Sequence, residues 1–379
     1  MKRAVKTLFF CALLLSLGTV LGAQIKTAHY EIIIPDGSND VYAAEMEQRF
    51  TEYNRVFHFD PALLSSPLKV RVFTDKNEYD NYVVAALGNL RPGAVYLHYK
   101  NPASRELVIH RGSAETETLV PHQAFIQFLR SFIADPPPWL REGFAVYFNT
   151  LKFDRAKGVL VYEENLSWLE TAKRGSFSPG IVLQSGVAFP NIQAFSWAMV
   201  SFFLADKSSE YYRSLTDSFT ALSPNASAEE NAQAMYRRLV LFNSIAELTR
   251  DYSAYIANKK TFTELVEEGQ KAYGAKNYAA AEESFHKAIK LRNSHYAPYY
   301  YLGLLAYERK NYNGAETFYK TALDAATPGT ERAMIQYARG VNAAAAGKKA
   351  EAITFLEEAA NIDSAKYKVR SDDLIRKLQ

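Results

Sequence analysis

"LVPHQAFIQFLRSFIADPPPWLREGFAVYF" fills residues 119–148. Its first half has helical spacing. Phe125, Ile126, Leu129 and Phe132 form one apolar face, which predicts a core role for Ile126. "DPPPW" ends that period, because consecutive prolines remove backbone donors and fix φ. Trp139 and a second apolar run follow at once. The prolines therefore read as a rigid loop and not as a ligand for a proline-binding module. His122, Gln123 and Glu142 are polar residues set into this otherwise apolar stretch.

Upstream of this stretch the chain alternates strand-like and helix-like segments. "HYEIIIPD" (29–36), "LKVRVFTD" (68–75), "GAVYLHY" (93–99) and "RELVIHRG" (105–112) are β-rich and bounded by turn residues. "DVYAAEMEQRFTEYNRVF" (40–57) has helical spacing between the first two. This predicts a small mixed α/β layer. From 115 to about 258 the helical period is expected to dominate, broken at "DPPPW" and across 175–190.

The pair of motifs around "DPPPW" resembles the peptidase MA-like branch of the gluzincins. There a helix carries His-Glu-x-x-His, and a Trp-Leu-x-Glu-Gly-x-Ala-x-Tyr segment follows a proline-containing loop. "PPPWLREGFAVYF" matches the second segment closely. "FSWAMVSFFLADKSSEYYRSL" looks like the family's long later helix and "NSIAELTRDYSAYI" like its closing helix, so the resemblance covers roughly 28–258. It implies a zinc held by two histidines and a glutamate, with a glutamate base activating water. Carried over by position, His122 matches the first ligand and Glu142 the third. Gln123 stands at the base and Ile126 at the second histidine. Gln cannot accept a proton at useful pH, and Ile has no donor atom. His122 and Glu142 are thus remnant ligand positions, expected to be unoccupied, and no catalytic residue is assigned. There is no Gly-x-Ser-x-Gly elbow.

From about 262 a repeat takes over. Gly269, Ala281, Phe285 and Ala288 recur 34 residues later as Gly303, Ala315, Tyr319 and Ala322, then, with three residues inserted, as Gly340, Ala352, Leu356 and Ala359. This period, with small residues at fixed points, is the signature of the tetratricopeptide repeat. "GAKNYAAAEESFHKAI" and "ERKNYNGAETFYKTAL" are similar to its turn and second helix. The resemblance implies a groove lined by Tyr273, Tyr300, Leu304, Tyr307, Met334, Tyr337 and Val341, suited to an extended peptide or a partner's helix. The charged, amphipathic end reads as a cap.

The first 23 residues read as a secretory signal peptide: Lys2, Arg3 and Lys6, then an apolar run from Leu8 to Leu17, then Gly22 and Ala23. Without them the +3 net charge falls close to zero, which excludes a general pull on nucleic acid. The one cysteine, Cys11, lies inside this segment, so the mature chain has no disulfide and no thiolate ligand. A cysteine-free exported chain points to a bacterial periplasm or cell envelope.

The expected architecture is an α+β zincin-like domain (24–258, small mixed sheet plus helices), then an all-α solenoid of three tetratricopeptide repeats (262–366) and a capping helix (367–379). The expected function is non-catalytic protein binding in the envelope, with no cofactor, no nucleic-acid partner and no membrane-spanning segment after signal cleavage. An active zinc metallopeptidase with a non-standard metal site is the alternative. A purely architectural envelope subunit is a third reading.

Overall fold

The computed structural model describes residues 23–38, 40–113, 115–162, 166–175 and 178–379. The expected signal segment lies outside them, except for Ala23, which opens the first strand. Two compact units emerge. One comprises the chain up to 163 with 181–192 and 203–243. The other comprises 164–180, 193–202 and 244–379.

In the first unit the order is β1 (Ala23–Lys26), β2 (Tyr30–Ile34), α1 (Ala43–Phe57), β3 (Leu68–Phe73), α2 (Lys76–Leu87), β4 (Ala94–Leu97), β5 (Glu106–His110), α3 (Thr116–Phe132), α4 (Pro138–Phe148), β6 (Leu151–Asp154) and β7 (Val159–Tyr162). Each of the four expected strands is present. The sheet order is β1-β2-β3-β5-β4. β2, β3 and β5 run parallel, and the two edge strands are antiparallel to their neighbours. Local chemistry sets the helix ends. Asp75 caps α2 by accepting from the Glu78 N–H, and Gly88, at φ 75°, closes it.

The core of this unit is aromatic. Phe50, Tyr53 and Phe57 of α1 meet Phe125, Phe128 and Phe132 of α3, and Phe144 and Phe148 of α4 complete the cluster. Within it Arg49 and Glu45 form a buried ion pair at 2.8 Å, and Arg49 also donates to the Leu151 carbonyl at 3.1 Å. The β6–β7 hairpin was not expected in the stretch from 115 to about 258, where the helical period dominates the sequence.

After β7 the helices run α5 (Leu169–Arg174), α6 (Pro179–Gln184), α7 (Ile192–Leu204), α8 (Glu210–Ser218), α9 (Ala228–Leu239), α10 (Ile245–Asn258), α11 (Phe262–Gly274), α12 (Tyr278–Leu291), α13 (Tyr296–Glu308), α14 (Tyr312–Ala325), α15 (Thr330–Ala345), α16 (Lys349–Ile362) and α17 (Ser364–Leu378). α9, α10 and α11 each open on a capping box, Ser227/Glu230, Ser244/Glu247 and Thr261/Glu264. α10 groups with the helices that follow it, and the last helix begins at Ser364, ahead of 367.

From α11 onward consecutive helices pack on one another, and the sequence period is also a period of geometry. Lys276, Lys310 and Gly347 adopt the left-handed conformation, at φ 59°, 58° and 76°. In each turn the same two backbone bonds close the preceding helix. Lys276 donates to Tyr273, Lys310 to Tyr307 and Gly347 to Ala344; Asn277 donates to Ala272, Asn311 to Ala306 and Lys348 to Ala343. The glycines mark where paired helices touch. A β-carbon on Gly269 would meet the Phe285 ring at 2.5 Å and one on Gly340 would meet Leu356 at 2.7 Å; on Gly303 it would press closer still on the Tyr319 ring. Among the described residues no helix is long and apolar enough to cross a membrane.

Candidate functional site

α3 carries His122, Gln123 and Ile126; α4 carries Glu142. The two helices pack against each other across the "DPPPW" loop. Pro137 and Pro138 sit at the start of α4, where a missing N–H is tolerated. Trp139 is fully buried and fixes the turn. This brings His122 Nε2 to 3.6 Å from Glu142 Oε2, and each side chain is 15% exposed. Arg141 Nε donates to Glu142 Oε1 at 2.9 Å. Burial pushes the Glu142 carboxyl up. The His122 ring and the Arg141 guanidinium outweigh it and hold the pKa down at about 2.

Gln123 has a defined structural partner. Its Oε1 accepts the backbone N–H of Tyr96 in β4 at 3.0 Å. One turn on, Gln127 Nε2 donates to the Lys69 carbonyl in β3 at 2.7 Å. The Tyr53 hydroxyl donates to the carbonyl of Pro121 at 3.3 Å, beside His122.

Ile126 is half-buried, which corrects its expected place in the core. The buried face of α3 is Ala124, Phe125, Phe128, Leu129 and Phe132. Four-residue spacing puts His122, Ile126 and Arg130 on a neighbouring, partly open stripe. Near its end stands His98 of the β4 edge. Burial and the charges of Arg130 and Arg105 lower its pKa to about 4, so this imidazole is neutral at neutral pH.

The fit to zinc is partial. Two ligands of one tetrahedral zinc stand about 3.3 Å apart, and the His122–Glu142 spacing is close to that. A third protein donor is needed. Ile126 supplies none, and among the described residues no three His, Cys, Asp or Glu side chains converge. Arg141 already places a positive charge on the carboxylate that a metal would take. The residues present do not make a catalytic zinc site, and no hydrolytic step follows from them.

The seven expected groove residues, Tyr273, Tyr300, Leu304, Tyr307, Met334, Tyr337 and Val341, are all half-buried. Tyr300, Leu304 and Tyr307 pack on the cluster of Ala306, Ala315 and Tyr319. Tyr273 packs near Phe285, with its ring 5.8 Å from Tyr301. Met334 and Tyr337 pack on Ala333 and Tyr367, and the Tyr337 and Tyr367 rings lie 5.3 Å apart. Burial raises the Tyr300 hydroxyl well above its ordinary pKa, and its ring lies 5.3 Å from Tyr301 and 6.2 Å from Tyr319. Val341 lies one turn beyond Tyr337 on α15. Sequence reasoning missed Tyr367, which arrives from α17, and Arg141.

No protein-family model matches the chain, and no curated protein sequence is significantly similar to it.

Proposed function

We propose that this is an exported, non-catalytic binding protein of the bacterial envelope. In this reading a degenerate peptidase MA-like domain precedes three tetratricopeptide repeats, and the repeats hold a protein or extended peptide. The repeated turn at Lys276, Lys310 and Gly347 carries the reading, because it supports a stack built from one recurring helix pair. The half-buried tyrosines on α11, α13 and α15 then supply contact area at low side-chain entropy cost. The peptidase-like domain serves as a support or docking surface. One observation favours an active metallopeptidase instead, the His122–Glu142 spacing; zinc would have to draw its third donor from elsewhere.

The test is capture from a bacterial envelope extract by the mature chain. Tyr307→Ala with Tyr337→Ala is expected to lose the captured partner, at roughly 1–3 kcal/mol of affinity per ring, while circular dichroism shows the helices intact. Equal retention by the folded double variant would move the binding surface off this face.

A further inference from the structure

We infer that Gln123 is a positioning residue that caps the outer edge of β4 and closes it to an added peptide strand. β4 is a terminal strand of the sheet. The His110 N–H donates to the Gly93 carbonyl at 2.7 Å, which makes 93 and 110 a hydrogen-bonded pair. In the observed antiparallel register, Val95 faces Val108 and Leu97 faces Glu106, so the amides of Val95 and Leu97 point at β5. Those of Ala94 and Tyr96 point outward. Unpaired outward donors on an edge strand are the template on which another strand adds.

Both outward donors are taken. The Ala94 N–H bonds the Pro92 carbonyl at 2.6 Å, and the Tyr96 N–H bonds Gln123 Oε1 at 3.0 Å. Gln127, 1% exposed and one turn along α3, holds the Lys69 carbonyl, so α3 is fastened to the sheet at two heights. An incoming strand would have to strip satisfied bonds and displace a helix side chain. The amide at position 123 therefore has a task of its own: it gives β4 a neutral acceptor. This holds whether or not the helical unit binds a partner.

Amide hydrogen exchange on the mature full chain, resolved at Tyr96, Val95 and Leu97, tests it. In the wild type the Tyr96 amide is expected to be protected. Gln123→Met keeps the side-chain length but removes the acceptor oxygen; Tyr96 exchange should rise by about tenfold or more, with Val95 and Leu97 unchanged. Gln123→Glu should restore protection at neutral pH, because a carboxylate accepts the same proton. Three results would overturn the inference: equal Tyr96 exchange in wild type and Gln123→Met, no rescue by Gln123→Glu, or acceleration at all three amides together. The last would mean that Gln123 holds the fold and not the edge.

Discussion

Glu142 is the residue whose surroundings say most about the cleft between α3 and α4. Its pKa of about 2 lies below the ordinary 4.5. As pH falls, the unfolded chain takes up the proton first. The stabilisation is therefore whole above about 4.5 and is lost as pH drops toward 2, on the order of 2–3 kcal/mol. Urea unfolding of wild type and Glu142→Gln is expected to differ most near neutral pH, and the gap should close below pH 4.5. A pH-independent gap would mean that the carboxylate is not held by His122 and Arg141. The approach of His122 to Glu142 could be anticipated from the two motifs and the proline loop between them. Arg141 could not, because adjacent helix residues do not face each other and only its long stem lets the guanidinium turn back. The Gln123–Tyr96 bond was equally hidden, since it joins residues 27 apart across a sheet edge.

At the scale of elements, repeat chemistry was legible because each small residue marks a contact between helices. Gly303→Ala would push a methyl group into the Tyr319 ring and is expected to cost roughly 1–3 kcal/mol. Lys310→Gly relieves a left-handed non-glycine residue at the same point of the repeat where Gly347 already stands, and should raise stability by up to about 1 kcal/mol. Thermal unfolding of both variants checks the pair; opposite signs are expected, and equal signs would contradict the shared geometry. The β6–β7 hairpin escaped notice for a physical reason. Its strands have four residues each, all half-buried or exposed, so no apolar alternation marks them. The cue was Gly158, at φ 66° in the turn after Asp154. β1 was hidden in the same way, a four-residue strand that follows directly on an apolar stretch of sequence.

For the whole molecule, the sequence division into a mixed α/β part and a helical repeat part agrees with a small mixed sheet followed by a long run of packed helices. The grouping of 164–180 and 193–202 with the later helices was not legible, because helix periodicity says which face is apolar and not which neighbour will cover it. Charge sets no strong direction for binding. Residues 262–379 hold 17 Lys and Arg against 15 Asp and Glu, so partner capture should weaken only slightly with salt. The central proposal is that His122 and Glu142, though they approach each other as the peptidase resemblance implies, hold no metal. Elemental analysis of the chain from residue 24 onward after mild purification tests this most directly. The expected result is zinc far below one ion per chain, unchanged by His122→Ala. About one zinc per chain, lost on His122→Ala, would contradict it.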